Sequence, residues 1–234
     1  MTVNARSPIP KRADLLSGEE TASITRNRRS QAERRRRTRQ ALLDGALLAM
    51  EAGESFDALS LRSVARAAGV VPTAFYRHFA SMDELGLALV EESFRTLRAM
   101  LHDAREGGLP AQHVIRRSVE ILVEQVREHR RHFAFVARAR CTANAGLRNA
   151  IRNEIRLFTS ELATDLARFP LLREWTTADL LMLADLLVNA MIATVEALLE
   201  LPLSAPQAES AIAHVAEKQL LLTMLAVPHW RTGA

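Results

Sequence analysis

Apolar residues recur at helical spacing through most of the chain, and no segment alternates with the two-residue period of a strand. The most informative stretch runs from Leu59 to Phe79. Ser60 is a good N-cap, and Leu61, Val64, Ala65 and Ala68 follow it on one helical face. Gly69 supplies a left-handed C-cap, and Val70 packs the turn. Pro72 and Thr73 open a second short helix, where a proline in the first turn is tolerated. Phe75 and Phe79, spaced i and i+4, point inward, which leaves Thr73, Ala74, Tyr76, Arg77 and His78 outside. Two short helices about a glycine turn, the second with a polar outer face, form a helix-turn-helix pattern.

The flanking patterns complete an all-α fold. A helix near Thr38 to Glu51 carries Ala41, Leu42, Ala46, Ala49 and Met50 on its inner face. Ser81 and Glu84 form a capping box that starts a long helix through about Asp103. Its apolar positions change faces, as suits a helix bridging two domains. Glu106-Gly107-Gly108-Leu109-Pro110 breaks the chain. Helices then follow over Val114–Arg127, Arg131–Arg140, Ala145–Phe169, Thr176–Glu200 and Pro206 to about Ala226, with Pro170, Pro202 and Pro228 as stops. The expected organisation is a disordered basic arm over 1–33, a three-helix helix-turn-helix DNA-binding domain over 34–82, a helical ligand-binding and dimerisation domain over 83–228, and a tail over 229–234. The last two long helices carry apolar residues on more than one side, and a helix apolar all round is buried. A second copy of the chain is the expected partner, and Ala190, Ala193 and Ala197 would allow close approach across a twofold axis.

Charge sharpens this picture. Residues 1 to 80 hold 14 basic and 8 acidic side chains, a net of +6, whereas the remainder holds 17 and 19, a net of −2. Arg26, Arg28, Arg29, Arg34, Arg35, Arg36, Arg37 and Arg39 face only Glu33 within one short segment. A charge run by itself is a solvated segment; this one leads into the helix-turn-helix, where phosphates would lie. A helix in the major groove presents its N-terminal residues to base edges, here Val71, Thr73, Ala74 and Tyr76, with Arg77 turned to bases or backbone. The methyls of Val71 and Ala74 can meet a thymine methyl.

Composition limits the rest. A hydrophobic fraction of 48% is ample for a core, and no unbroken apolar run of about 18 residues predicts a membrane span. The N-terminus has no apolar signal-peptide core, and the single Cys141 cannot form an internal disulfide, so a cytoplasmic protein is expected. No nucleophile elbow, phosphate loop or Cys-His pair points to an enzyme, and no catalytic residue or cofactor is assigned. His129 and His132 lie beside Glu128, but Arg130 and Arg131 oppose a cation, so no metal site is assigned. Phe94, Leu97, Met100, Leu101, Leu122, Val126, Phe133, Phe158, Leu162 and Met191 could line an elongated apolar pocket; singly, each reads as core.

The basic arm, the run Phe56-Asp57-Ala58-Leu59-Ser60-Leu61-Arg62-Ser63-Val64-Ala65 and the run Phe75-Tyr76-Arg77-His78-Phe79 resemble a TetR-family DNA-binding domain over residues 34–92. Pro72 to Phe79 continuing into Asp83-Glu84-Leu85-Gly86-Leu87, with His132-Phe133-Ala134-Phe135 and Asn153 to Phe158, resembles the fatty-acid regulators of the FabR and DesT type. The resemblance implies a homodimeric regulator, a repressor, on a palindromic double-stranded operator, joined through its last two long helices as a four-helix bundle. It implies that Tyr76 and His78 grip phosphates and that Thr38, Ser60 and Arg62 touch the flanking backbone from helix starts. Many members carry Lys near the start of the fourth helix; this chain has Met82 and Asp83 there, so that contact is not carried over. The resemblance further implies long-chain acyl-CoA as effector and control of lipid metabolism, with Arg138, Arg140, Arg148 and Arg152 as phosphate partners near the opening. A repressor of multidrug efflux or catabolic genes is the alternative, and a small-molecule-binding helical enzyme is the rival of another class.

Overall fold

Helix-favouring Arg, Glu, Gln, Ala and Leu dominate the residues after Pro10, and nothing interrupts them before Glu51. In the computed structural model, which describes residues 12–51, 54–105, 111–202 and 204–231, they form one helix, α1 (Arg12–Glu51). The expectation of disorder through residue 33 therefore changes: residues 12–33 are helical backbone continuous with α1, and residues 1–11 lie outside the described residues. Low hydrophobicity pointed to disorder, but a helix already fixed by packing over Leu42 to Met50 extends outward without a new nucleus.

After a short 3₁₀ turn (Phe56–Ala58) come α2 (Leu61–Ala67) and α3 (Pro72–Phe75). Ser60 caps α2 as expected: its Oγ accepts the Ser63 amide at 3.0 Å, and Ser63 Oγ accepts the Ser60 amide in return. Gly69 adopts φ +67°, and the Val70 amide reaches back to the Ala65 carbonyl at 2.9 Å. Phe75 and Phe79 are buried, their rings 5.6 Å apart. The bridging helix α4 (Met82–Arg105) begins with Ser81 Oγ accepting the Glu84 amide.

The remaining helices are α5 (Ala111–Glu128), α6 (Arg130–Ala139), α7 (Ala145–Leu166), α8 (Thr177–Glu200) and α9 (Pro206–Ala226). Asn144 caps α7 through the Leu147 amide, and Thr176 caps α8 through the Asp179 amide. Every described residue outside these elements is turn, bend, 3₁₀ or coil, so the described chain is all-α. The tail expectation starts too early, because Val227–His229 forms a 3₁₀ turn and Trp230 packs on Trp175 with ring centres 6.1 Å apart.

One core crosses the expected 82/83 boundary. Leu42, Leu43, Phe56, Val64 and Phe75 from the N-terminal helices share it with Leu89 of α4, Phe135 and Ala139 of α6, and Leu147 and Ile151 of α7. Two close approaches make this possible. A Cβ on Gly45 would sit 2.8 Å from the Ala68 amide nitrogen, and one on Gly86 would sit 2.7 Å from the Phe56 ring. Loop contacts add to the seam. Asp57 accepts hydrogen bonds from the Thr142 hydroxyl and the Ala143 amide, and Asn144 donates to Asp83 at 2.7 Å.

Helices α8 and α9 differ from expectation in one respect. Thr177–Glu200 and Pro206–His229 are each long and apolar enough to cross a bilayer, although scattered charges hide this from a search for unbroken runs. On α8, Leu180, Leu183, Ala184, Val188 and Leu198 are buried inside the fold. The opposite side of the pair stays open: Met182, Leu186, Val215, Leu222 and Leu225 are exposed. Ala193 lies on that open side, but Ala190 faces an internal cavity instead.

Candidate nucleic-acid interface and ligand cavity

The residues expected to read DNA lie together at the end of the molecule that holds α2 and α3. Val71, Thr73, Tyr76 and Arg77 are exposed, Val71 and Tyr76 by about two thirds, while Ala74 and His78 are half-buried. Tyr76 is held by an edge-on contact of its ring with Phe75 at 5.8 Å, which leaves its hydroxyl outward. Arg62 is exposed at the start of α2 beside the Ser60 cap, where amide dipoles favour anions. Thr38 departs from expectation. It lies inside α1 rather than at a helix start, and its hydroxyl donates to the Arg34 carbonyl at 3.0 Å, so that proton is already used. Asp83, at the start of α4, accepts a hydrogen bond from Asn144.

The exposed arginines of α1 border this surface. Arg36 and Arg37 share Glu33, each at 3.1 Å, whereas Arg34 and Arg35 have no acidic partner among the described residues. Surface pairs of this kind contribute little and are easily exchanged for a phosphate. Arg39 stacks over the Phe79 ring at 5.1 Å. His78 sits among Arg35, Arg39 and Arg77; burial first, and then these cations, hold its imidazole below the ordinary histidine range. Its Nδ1 is buried without a hydrogen-bond partner. A phosphate arriving here would meet a cluster of cations and a histidine ready to accept a proton. The side chains of Arg26, Arg28 and Arg29 lie outside the described residues.

Between this surface and the body, polar groups on three helices meet. Gln40 of α1 donates to Glu92 of α4 at 2.7 Å, and Ser93 of α4, fully buried, bonds His132 Nδ1 of α6 at 3.0 Å. Burial lowers the His132 pKa; Glu92 and Asp44 oppose that shift and His129 reinforces it. Sequence reasoning did not find this pair, because Ser93 and His132 are 39 residues apart and no local pattern links them. Lower on α4, Arg98 ion-pairs with Glu154 of α7.

The body holds two adjoining apolar cavities. One, of about 110 Å³, is walled by Phe94, Leu122, Phe133, Val136, Phe158, Met191 and Val195 among others, with Arg140 and Glu196 at its edge. The second, of about 180 Å³, includes Val119, Leu122, Phe158, Leu162, Ala190, Met191 and Leu220. Leu122, Phe158 and Met191 line both, so the cavities follow one another along the helix bundle. Six of the expected pocket residues are brought together here: Phe94, Leu122, Phe133, Phe158, Leu162 and Met191. Val126 is not among them, because it packs with Phe133 and Leu198 in a separate buried cluster. The side chains of Leu97, Met100 and Leu101 lie outside the described residues.

The expected arginines separate. Arg140 lies at the first cavity, paired with Glu196 at 2.8 Å. Arg148 turns back to the Thr142 and Ala143 carbonyls, and Arg152 bonds Asn149; neither lines a cavity. Arg138 lines neither apolar cavity but a charged cleft between α1, α6 and α8.

Comparison with known proteins places this arrangement. Residues 43–89 match the model for bacterial regulatory proteins of the tetR family, and residues 111–227 match the tetracyclin repressor-like C-terminal domain. Among solved structures, a TetR-family transcriptional regulator from Streptomyces coelicolor is similar at 19% identity, covering 82% of this chain and 96% of that one, with a TM-score of 0.63. GusR of Salmonella enterica is similar at 22% identity, over 80% and 95%, with a TM-score of 0.62. FadR of Bacillus subtilis, solved in complex with stearoyl-CoA, is similar at 12% identity, over 79% and 96%, with a TM-score of 0.59.

Proposed function

The chain belongs to the tetR family of bacterial regulatory proteins, and from that premise we propose that it is a homodimeric repressor whose hold on DNA answers to a long-chain acyl-CoA. The observation that carries this reading is the pairing of an exposed, cationic helix-turn-helix surface with a succession of apolar cavities at the other end of α4. Val71, Thr73 and Ala74 read base edges in the major groove. Tyr76, Arg77 and His78 hold phosphates, and Ser60 and Arg62 touch the flanking backbone. Thr38 contributes through position alone. Residues 34–82 are the reading module, and residues 83–228 hold the effector and the dimer contacts.

Two copies join through the open apolar side of α8 and α9, which sets the reading helices roughly 34–36 Å apart on a palindrome. The effector acts by preferring one of two spacings, and it can shift occupancy only by its difference in affinity for them. An elongated acyl tail suits the apolar cavities that share Leu122, Phe158 and Met191. FadR of Bacillus subtilis, with its stearoyl-CoA, supports the class without fixing the ligand of this chain.

The test begins by selecting an operator from random DNA with the purified protein. Acyl-CoAs of increasing chain length are then titrated into the complex. Apparent affinity should rise with each buried methylene, by up to about 0.8 kcal/mol. A response that is flat in chain length but strong for unrelated aromatic cations would overturn the lipid reading in favour of a drug-type effector and leave DNA binding intact.

A further inference from the structure

The cation that lines the first apolar cavity is already paired with a carboxylate. The cavity's polar lining is Gln125 and the ion pair of Arg140 with Glu196, so an amphipathic effector must place its head elsewhere. Ala137 and Glu196 line that cavity and also a cleft of about 430 Å³ between the end of α1, α6 and α8. Among the described residues these two are common to both spaces, so the cleft adjoins the cavity.

Arg130, Arg131 and Arg138 line the cleft together with Glu51, Glu196 and Glu200, and the three cations differ in how they are occupied. Arg130 donates to the Leu198, Leu199 and Leu201 carbonyls, which end α8. Arg131 pairs with Glu51 at 2.7 Å. Arg138 donates to the Met50 carbonyl at 3.0 Å and has no carboxylate partner among the described residues. Met50 and Glu51 form the C-terminal end of α1, the helix that packs against α2 of the reading surface. A hydrogen bond from a guanidinium to an anion is roughly twice as strong as one to a neutral carbonyl.

We propose that this cleft is the head-group site of the effector, and that an anionic head bound at Arg138 draws its guanidinium off the Met50 carbonyl. The proposal rests on the effector reading of the apolar cavities. The end of α1 then loses its capping cation, and its last turn loosens where it meets α6. Effector occupancy thus reaches the reading surface through α1 as well as through the bridging helix.

Two probes with one tail separate head from chain: dodecyl phosphate and dodecanol, each titrated calorimetrically into the full chain below micellar concentration. The phosphate should bind at least about tenfold more tightly. Arg138→Gln should remove that preference and leave dodecanol binding unchanged. In hydrogen–deuterium exchange, the phosphate but not the alcohol should speed exchange over residues 47–51 of the unmodified chain, a readout that needs no variant. Equal affinity for the two probes overturns the head-group site and leaves the apolar cavity as effector site. Unchanged exchange over 47–51 overturns the coupling to α1. If neither probe binds, the effector reading falls, and this proposal with it.

Discussion

Leu222→Ala on α9 should break the dimer measurably. Leu222 and Leu225 are 71% and 70% exposed in the single chain, and Leu186 and Val215 are 55% and 54% exposed. Fully burying a leucine side chain is worth about 1.5–3 kcal/mol. Covering the exposed 71% of Leu222 therefore recovers about 1–2 kcal/mol in each protomer. A twofold interface uses each residue twice, which doubles the figure to about 2–4 kcal/mol per dimer. Alanine keeps only the first side-chain carbon, so the substitution forfeits most of it, about 2–3 kcal/mol. The dimer dissociation constant should rise about 30- to 150-fold. Sedimentation equilibrium over a concentration series reads this directly, and operator affinity should fall in parallel. Leu48→Ala, at an exposed position on α1, serves as the control and should leave assembly unchanged. An unaltered dissociation constant for the Leu222 variant would place the interface on another face.

Three further perturbations probe the reading end. Changing Arg34, Arg35, Arg36 and Arg37 together to Gln should weaken all DNA alike and flatten the dependence of log affinity on log salt by about two to three units, at about 0.9 per phosphate contact; an unchanged slope would make these arginines spectators. Gly45→Ala gains about 1 kcal/mol of helix propensity but drives a Cβ to 2.8 Å from the Ala68 backbone, so overpacking of about 1–3 kcal/mol wins and thermal unfolding should shift downward. His78 titrates below the ordinary histidine range in the free protein, and so does His132. The unfolded chain therefore binds these protons first, and their share of stability, whole above about pH 6.5, is lost as pH falls through that value toward the folded pKa. DNA affinity should run the opposite way. A phosphate at His78 offsets the arginines and raises its pKa, so binding takes up a proton and tightens on acidification from about pH 7. His78→Gln should abolish that pH response, and a response that persists would locate the proton elsewhere.

Helix ends were legible because each has a local chemical cause. Ser60 and Gly69 cap where the sequence pattern places them, and prolines at 170, 202 and 228 end or redirect helices. The outward set on α3 was legible for the same reason, since Phe75 and Phe79 fix which way the helix turns. Contacts between distant segments were not legible. Nothing local marks Gly45 as the point where α1 touches α2, Asp57 as the seat of the Thr142 loop, or Ser93 as the partner of His132. The arginines of the body were misjudged as a group because charge alone cannot tell Arg148, folded back on its own loop, from Arg138, which reaches across to α1. Thr38 was misplaced because a helix start was expected where α1 simply continues.

The buried seam that joins Phe56, Phe135, Leu147 and Ile151 has a consequence for engineering and for descent. The reading head is not a detachable cartridge. A chimera spliced after residue 82 would strip Leu42, Phe56 and Phe75 of the α6 and α7 side chains that close over them, and would seat foreign residues against the tight contact at Gly86. On the proposed reading of α3, new operator preferences are therefore reached more cheaply by changing its few exposed side chains than by exchanging heads between regulators.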